Sequence, residues 1–443
     1  MTLPVLYRSD QGDVMGKQFM PTFKSRQELE ALQLKRLTWT LEHAYNGSAF
    51  YKKSFDKANI KPGDIMTLDD LKRIPFVTAQ DLQGDYPWPL RSVKFEDIVR
   101  IHTSSGTTGN RKVLVYTAKD IDDWADMFAR CFEMAGLTKN DRVQICLGYG
   151  VWTGGVGFQN GCERFGAIAL PVGPGNTDMH LNFLVDFQTT AICSTASMAL
   201  LLAEEVEKRG IRDKINVKKI IMGSERSSEA MRMKIKELFG AQDVFDIPGL
   251  TEVYGPGIGL DCPYHTGIHY WADYYFLEIL NPDTLEPVRE GEIGEMVFTT
   301  LRKEGAPMIR YRSRDLTRLI PGDCPCGSIL PRHDRIIGRS DDMFIVRGVN
   351  IYPSHIDKIL SRHKGIGSEF QIVLEREDDG KDYMTIKVER ALRAEPEADL
   401  ELCRMIGIEI RKHLLVRGIV EIVDYGSLPR TQKMSKRIFD NRN

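Results

Sequence analysis

The sequence predicts an α/β fold with a large N-terminal domain, built of several α/β layers and a β subdomain, and a small, mobile C-terminal α+β domain. Three observations lead to this prediction. The chain has 443 residues, which is too many for one ordinary hydrophobic core. Short β-rich runs alternate with helical patterns through most of the chain. Roughly the last hundred residues carry a compact apolar pattern of their own.

The composition is that of a globular protein. Hydrophobic residues make up 42% and charged residues 28% of the chain, and the formal net charge is −2, so no polyanionic partner such as nucleic acid is implied. The first residues, MTLPVLYRSDQGDVMGKQF, lack the continuous apolar core of a signal peptide. No run approaches the roughly 18 apolar residues of a membrane span. We therefore expect a cytoplasmic protein that does not associate with membranes.

A helical pattern opens the large domain, and an alternating pattern follows it. Closely spaced leucines, two or three residues apart, predict helical structure over 26–58; they are Leu29, Leu32, Leu34 and Leu37. From about residue 85, the runs RVQICLG, AIALPV, TAICST, VKKIIMGS and DVFDIPG alternate with helical segments. This alternation is typical of a mainly parallel sheet, which binds ligands at the loops that follow its strands.

The pattern changes twice more towards the C-terminus. Between about 275 and 320 it becomes strands and turns, as in GEIGEMVFTTL, and predicts an antiparallel β subdomain. After GRSDDMFIVRGVNIYP a helix near 355–363, the strands FQIVLER and YMTIKVE, a further helix and the strand VEIVDYG indicate a separate domain. We predict domains over 1–340 and 341–443, with a hinge near Asp341.

The run TSSGTTG, from Thr103 to Gly109, has the chemistry of a phosphate-binding loop. Its hydroxyls donate hydrogen bonds, and its glycines let backbone N–H groups approach an anion. It lacks the G-x-x-x-x-G-K-[ST] order of the P-loop NTPases, and a simple Ser/Thr/Gly turn is the alternative. The residues predicted to bind phosphate are Ser104, Ser105, Gly106, Thr107, Thr108 and Gly109.

Further motifs follow this loop in order: GLTE, YRSRD, GRSDD and the ending LPRTQKMSKR. In this order they resemble the acyl-adenylate-forming superfamily. The stretches GYGVWTGG, PGLTEVYGPG, MIRYRSRDLTRL and DRIIGRSDDMFIVRGVNIYP resemble the phenylacetate-CoA ligase family over nearly the whole chain. The resemblance implies that a carboxylate attacks the α-phosphate of ATP and that coenzyme A then displaces AMP from the acyl-adenylate. ATP, Mg²⁺ and coenzyme A are the implied cofactors, and a homodimer is common in the family.

The resemblance gives catalytic and nucleotide-binding roles to two acidic residues. Glu252, in GLTE, is expected to hold Mg²⁺ against phosphate oxygens, for which a carboxylate is a suitable ligand. Its alternative is a solvated surface side chain. Asp315 is expected to accept the ribose hydroxyls, and its alternative is an ion pair with the flanking Arg312 and Arg314.

Three residues near the domain border also receive roles from the resemblance. Arg339 would donate to the phosphate or ribose, or else form a salt bridge with a neighbouring aspartate. Asp341 would be the hinge between half-reactions, or else a cap of a turn. Gly348 would lie at the pantetheine channel, or else be a hairpin glycine. The other positions placed at the nucleotide site are Asp246, Ile247, Pro248, Thr251 and Ile336.

Three features depart from the family pattern. Pro248 stands where the family has an aromatic residue that stacks on adenine. In the tail, the register puts Lys433 on the family's glycine and Met434 on its catalytic lysine, so Lys433 or Lys436 would have to supply that charge. The phosphate loop continues as Asn110-Arg111-Lys112, where the family usually has Lys-Pro-Thr.

By resemblance, the acid substrate binds between GYGVWTGG and GSERSS. Aromatic rings in the first segment suit an aromatic or arylacetic acid, with core packing as the alternative. Ser224 and Arg226 replace the family's alanine and proline, so we expect an aryl acid with a polar substituent; Arg226 pointing to solvent is the alternative. The predicted substrate residues are Tyr149, Gly150, Trp152, Gly223, Ser224, Glu225 and Arg226.

The pair Cys324-Pro-Cys326 predicts half of a structural zinc site. Cys262 and a histidine in GLDCPYHTGIHYW are the expected other ligands. His269 is preferred on the family resemblance, while His265 would give a tighter C-x₂-H spacing. Four protein ligands would close the site to substrates. Reduced thiols in turns are the alternative.

These patterns favour an acid-thiol ligase that makes an aryl-CoA thioester. Two alternatives stay open. The same adenylate chemistry would serve an enzyme that passes the acyl group to an amine or a carrier protein. Pro248 and Met434 together also allow a non-catalytic ligand-binding relative.

Overall fold

The computed structural model describes residues 19–104, 111–225, 227, 229–341, 344–346, 349–376, 382–392, 394–428 and 437–442. The chain divides into two compact units. The first runs up to Ser224 and continues over Lys236–Arg335. The second comprises Glu225–Ile235 and the chain from Ile336 onward. The α/β fold class is confirmed, and none of the helices in the described ranges is long and apolar enough to cross a membrane.

Two helices, α1 (Arg26–Gly47) and α2 (Ala49–Lys57), occupy the first helical segment, where one continuous helical pattern was predicted. The Ser25 hydroxyl caps α1 by accepting from the Glu28 N–H. The break falls at Ser48, whose backbone is extended. The residue before it is Gly47. A larger residue would not fit there, because a Cβ atom would lie 2.1 Å from the Ser92 carbonyl oxygen. Leucine spacing does not report this tertiary contact.

A five-stranded parallel sheet forms the centre of the first unit. Helices α3 (Asp81–Gly84) and α4 (Ala118–Met134) and the antiparallel pair β1 (Arg100–Thr103) and β2 (Val113–Tyr116) precede it. Its strands are β3 (Arg142–Ile145), β4 (Ile168–Leu170), β5 (Ala191–Thr195), β6 (Lys219–Gly223) and β7 (Asp243–Ile247), in the order β4-β3-β5-β6-β7. The intervening helices are α5 (Gly154–Phe165), α6 (Thr177–Asp186), α7 (Ala196–Lys208) and α8 (Glu229–Phe239).

Helices α4 and α5 pack closely because α5 carries glycines on the contact face. A Cβ atom at Gly161 would lie 2.1 Å from the Phe128 Cβ. We therefore expect Gly161→Ala to destabilise the fold by roughly 1–3 kcal/mol, since the helices must separate. Gly407→Ala is the matched control: its nearest neighbour would be 3.8 Å away. Chemical denaturation of both variants is the measurement, and equal midpoints would contradict the close packing.

Antiparallel strands complete the first unit, as the sequence predicts. A four-stranded sheet is ordered β10-β11-β16-β15, and β12, β13 and β14 form an antiparallel meander. The strands are β8 (Gly249–Leu250), β9 (Gly255–Pro256), β10 (Gly259–Asp261), β11 (Ile268–Tyr270), β12 (Tyr275–Leu280), β13 (Gly294–Thr300), β14 (Tyr311–Thr317), β15 (Leu319–Ile320) and β16 (Arg332–His333).

The second unit has its own α+β core. Residues Ile351, Ile372, Ile386, Ile406 and Ile410 are fully buried in it. Its main sheet is ordered β22-β21-β20-β23. Its elements after α8 are β17 (Gly338–Arg339), β18 (Phe344–Val346), β19 (Val349–Ile351), α9 (Pro353–Leu360), β20 (Ile366–Arg376), β21 (Asp382–Arg390), α10 (Asp399–Leu414), β22 (Gly418–Val423) and β23 (Ile438–Asp440).

Candidate active site

Three of the predicted site segments follow strands of the parallel sheet at one edge. The loop 148–153 follows β3, Ser224 follows β6, and Pro248 follows β7. Because the strands are parallel, their carboxyl ends lie on the same side, where α/β sheets bind ligands. The sheet therefore gathers the predicted acyl-binding and adenine-binding segments, which are far apart in sequence.

The two aromatic side chains of the acyl segment lie against glycines. A Cβ atom at Gly154 would lie 2.3 Å from the Trp152 ring, and one at Gly155 would lie 2.7 Å from the Tyr149 ring. Both rings are half-buried rather than part of the core. The Tyr149 hydroxyl has no hydrogen-bond partner within the described part of the chain. An apolar wall with one unpaired polar atom is thus available for a ligand.

The remaining predicted acyl residues are Gly150, Gly223, Ser224, Glu225 and Arg226. Gly150 has a positive φ of 89° in the same loop as the aromatic pair. Gly223 ends β6, and a Cβ atom there would lie 2.5 Å from the Ile247 carbonyl oxygen, so the two strand ends approach closely. Ser224 has a φ of 67°, unusual for a serine, and Glu225 follows it. Arg226 lies outside the described residues.

The described residues include only the neck of the predicted phosphate loop, by which we mean Ser104 and Lys112 at its two ends. The Ser104 N–H donates to the Lys112 carbonyl at 3.0 Å and joins the two ends of the loop. The Ser104 hydroxyl is buried without a hydrogen-bond partner in the ranges described. Ser105, Gly106, Thr107, Thr108 and Gly109 fall outside those ranges.

Glu252 is buried, whereas its alternative was a solvated surface side chain. It lies in a 3₁₀ turn, Thr251–Val253, directly after β8. Its Oε1 accepts the Lys112 ammonium at 2.5 Å and the Tyr311 hydroxyl at 2.9 Å. Burial alone would raise the pKa of Glu252, but the charge and hydrogen bond of Lys112 outweigh burial and lower it. The side chain is therefore a carboxylate anion, as a Mg²⁺ ligand must be.

Buried aromatic residues hold the turn that carries Glu252. The Tyr116 hydroxyl donates to the Tyr254 carbonyl at 2.8 Å. Tyr254 itself has a φ of 80°, an uncommon backbone conformation. The fully buried Lys303 ammonium lies 3.5 Å from the centre of the Tyr116 ring and 4.3 Å from that of Tyr254. This cation–π arrangement fixes the backbone next to the carboxylate.

The predicted adenine-binding segment, 246–248, comprises the end of β7 and the residue that joins β7 to β8. Asp246 lies on β7 and forms an ion pair with Arg335, with Oδ2 and Nε 3.6 Å apart. Ile247 is buried, and the Pro248 carbonyl accepts the Gly257 N–H at 3.2 Å. This bond closes the β8–β9 hairpin.

Asp315 lies on β14, where its backbone N–H donates to the Ser313 hydroxyl at 3.0 Å. The flanking arginines both pair with Glu295: Arg312 Nη2 lies 2.8 Å and Arg314 Nη1 3.5 Å from its Oε2. Glu295, on the neighbouring strand β13, is thus a carboxylate partner of both arginines.

In the second unit, two of the predicted residues pair with each other. Arg339 Nε lies 2.9 Å from Asp341 Oδ1, and Nη2 lies 3.0 Å from Oδ2. This bidentate salt bridge is the alternative that the sequence left open for Arg339. Ile336 begins the same segment. Gly348, Lys433, Met434 and Lys436 lie outside the described residues.

Three cysteines and one histidine form a compact cluster at the β10-β11-β16-β15 sheet: Cys262, His269, Cys324 and Cys326. Their potential ligand atoms all lie within 4.8 Å of one another. Cys262 Sγ is 3.6 Å from Cys324 Sγ, and Cys326 Sγ is 3.3 Å from His269 Nε2. His269 Nδ1 lies 2.8 Å from the Leu330 carbonyl oxygen, which directs Nε2 towards the sulfurs.

Both ring nitrogens of His265 are engaged elsewhere. Nδ1 lies 2.8 Å from Asp261 and Nε2 lies 2.9 Å from Asp243. These carboxylates raise the pKa of His265 to about 9. Within the described residues, His269 is therefore the histidine of the cluster, although the spacing of His265 from Cys262 is closer to a common zinc motif.

Comparison with known proteins places this geometry in a family. The chain matches the model described as "AMP-binding enzyme" over residues 31–301 and the model described as "AMP-binding enzyme C-terminal domain" over residues 348–442. It is 40% identical over 422 residues to the phenylacetate-coenzyme A ligase of Escherichia coli strain K12, covering 94% of this chain and 95% of that one. The chain belongs to the phenylacetate-CoA ligase family.

Another family relative and a solved structure agree with this assignment. The phenylacetate-coenzyme A ligase of Aromatoleum evansii is 38% identical over 426 residues, covering 94% of this chain and 96% of that one. A crystal structure of 2-hydroxyisobutyryl-CoA ligase with 2-HIB-AMP has a TM-score of 0.86 and 28% identity, covering 96% of this chain and 94% of that one.

Two contacts of Glu252 in this phenylacetate-CoA ligase family member were not predicted. The motif YRSRD drew attention to Asp315, whereas its first residue, Tyr311, donates to Glu252. In the sequence, Lys112 was identified only as part of the departure from the family pattern after the phosphate loop. Since Lys112 and Glu252 are 140 positions apart, no local pattern relates them.

Proposed function

We propose that this chain joins an aromatic carboxylic acid with a polar substituent to coenzyme A, through an acyl-adenylate formed from ATP. The reaction class, that of an AMP-forming acid-thiol ligase, follows from the family. Buried Glu252, ionised and held by Lys112 beside the neck of the phosphate loop, is the observation that carries the proposal. The acid class and the residue roles below are our inferences.

In this proposal Glu252 holds Mg²⁺, which when bound neutralises charge on the phosphates. Its donor atoms fit such an ion because they are carboxylate oxygens fixed by Tyr311. Ser104–Gly109 bind the triphosphate, Asp246–Pro248 and Thr251 border the adenine, and Asp315 accepts the ribose hydroxyls. Ile336, Arg339 and Gly348 complete the cofactor sites, and Lys433 or Lys436 supplies positive charge from the tail.

The polar substituent is supported by atoms near the acyl segment. The Tyr149 hydroxyl is buried without a partner in the described residues, and burial raises the pKa of Tyr149, so it stays a neutral donor. An unpaired buried donor disfavours a substrate that offers no acceptor. Ser224 and Arg226 add polar groups to the second acyl segment.

A substrate panel tests the acid class. Carboxylate-dependent pyrophosphate release is measured with phenylacetate, with hydroxyl-, amino- and carboxyl-substituted aryl acids, and with 2-hydroxyisobutyrate. We expect a polar aryl acid to have the highest kcat/KM. Tyr149→Phe should reduce its advantage over the unsubstituted acid by about tenfold or more, because it removes the unpaired donor.

Two outcomes of this panel would contradict the proposal in different ways. If phenylacetate exceeds every polar aryl acid, the polar substituent is wrong while the ligase chemistry stands. If no acid releases pyrophosphate, the adenylation itself is wrong. The rates of acyl transfer to coenzyme A, to an amine and to a carrier protein are then compared, and this comparison identifies the acceptor.

The Cys/His cluster is proposed to hold a structural Zn²⁺. Thiolates at the usual Zn–S distance of about 2.3 Å lie roughly 3.7 Å apart in a tetrahedron, and Cys262 and Cys324 are 3.6 Å apart. A hydrogen bond from Cys326, together with His269, lowers the pKa of the Cys262 thiol, which favours the thiolate form that binds metal. Reduced thiols also favour the cytoplasm as the compartment.

The domain assignment completes the proposal. We assign the ATP and acyl sites to 1–340 and a mobile lid to 341–443, with Asp341 as the hinge. A homodimer, common in the family, stays a prediction.

A further inference from the structure

The ammonium group of Lys112 occupies the face of Glu252 that a metal ion would need. Lys112 Nζ lies 2.5 Å from Glu252 Oε1, and the two side chains are 23% and 6% exposed. The same oxygen accepts the Tyr311 hydroxyl. Mg²⁺ binds carboxylate oxygen at about 2.1 Å. The ammonium and a divalent cation therefore compete for this oxygen, and the binding of one weakens the binding of the other.

The position of Lys112 in the chain connects this ion pair to the phosphate loop. Its carbonyl accepts the Ser104 N–H at 3.0 Å, which fixes its backbone at the loop's neck. Lysine carries its charge at the end of a flexible four-carbon stem, so from this fixed backbone position the ammonium could reach a different anion by changing its rotamer. The backbone is thus held beside the loop, while the ammonium is held on Glu252.

Another lysine that pairs with a buried carboxylate lacks this arrangement. Lys119 Nζ lies 2.7 Å from Asp123 Oδ2. Asp123 is also paired with Arg302, at 2.8 Å, so it would keep a cation if Lys119 moved. In the described residues, Lys112 is the cation recorded in ion-pair contact with Glu252. If the ammonium left, this buried carboxylate would need a replacement cation.

We propose that Lys112 is an exchangeable counter-ion. It neutralises Glu252 in the nucleotide-free enzyme, gives up the carboxylate when Mg²⁺ arrives with ATP, and places its ammonium on the triphosphate at the loop. This inference rests on the proposed adenylation. It also names a source of positive charge in a chain whose tail has Met434 at the register of the family's lysine.

The test compares Lys112→Met with Lys119→Met, using the full-length protein. Mn²⁺ binding to the nucleotide-free protein is measured by electron paramagnetic resonance, without acid. We expect Lys112→Met to bind Mn²⁺ about fivefold more tightly, because it removes a competing cation. The same variant should lower kcat for pyrophosphate release by about 10²-fold, because it removes a cation from the triphosphate.

The control and the conservative variant sharpen the result. Lys119→Met should leave both quantities close to wild type, and Lys112→Arg should recover most of kcat. Weaker or unchanged Mn²⁺ binding in Lys112→Met would overturn the exchange and leave Lys112 as a structural ion pair. If the wild type releases no pyrophosphate, the proposed function fails, and the Mn²⁺ measurement still decides whether Lys112 competes with metal.

Discussion

Replacing Cys326 with serine should reduce bound zinc from about one equivalent per chain to a small fraction of that value, and should lower the thermal unfolding midpoint by more than about 5 °C. Cys326 Sγ lies 3.3 Å from His269 Nε2 within the four-residue cluster. Serine keeps the size of the side chain but offers no thiolate. With one ligand lost, the remaining three hold zinc far more weakly.

Cys403→Ser is the matched control for this experiment, because Cys403 is also partly exposed and lies outside the cluster. It should change neither metal content nor stability. Zinc is measured by mass spectrometry after purification without added metal, and unfolding is followed with and without a chelator. A wild-type protein with under half an equivalent of zinc would contradict the proposed site, as would a Cys326→Ser variant that keeps its metal.

Glu252→Gln should reduce acyl-adenylate formation by about 10²- to 10³-fold. The amide keeps the size of the side chain and an acceptor for Tyr311. It removes the negative charge, so Mg²⁺ loses a ligand and the Lys112 ammonium loses its counter-ion. Carboxylate-dependent pyrophosphate release measures the first half-reaction directly.

The second half-reaction provides an internal control for Glu252→Gln. Thioester formation from a supplied acyl-adenylate needs no Mg²⁺·ATP, so the variant should retain most of this rate. Glu278→Gln is the matched substitution, since Glu278 is also a mostly buried carboxylate, paired with Arg310 at 2.9 Å. It should lower stability but not the ratio of the two half-reactions. Equal loss of both rates in Glu252→Gln would indicate misfolding rather than a lost metal ligand.

Much of the fold was predictable because its signals are local. The strands β3, β5, β6 and β7 are short apolar runs separated by amphipathic helices, and both features can be read within a few residues. The break between α1 and α2 was missed, because it depends on Gly47 meeting the Ser92 carbonyl. That contact joins residues far apart in sequence, and a periodic pattern carries no record of it.

The sequence alone determined the chemistry that is available: a hydroxyl- and glycine-rich loop, an acidic residue after a strand, and a pair of cysteines two residues apart. Only the tertiary structure decided which of these groups meet. Spacing made His265 a plausible partner of Cys262, yet Asp243 and Asp261 engage both of its nitrogens, and His269 joins the cysteines from the next strand. Likewise, Glu252 forms its ion pair with Lys112, which lies 140 positions away in the sequence. Partner choice depends on distance in three dimensions, because hydrogen bonds and ion pairs act over a few ångströms whatever the separation along the chain.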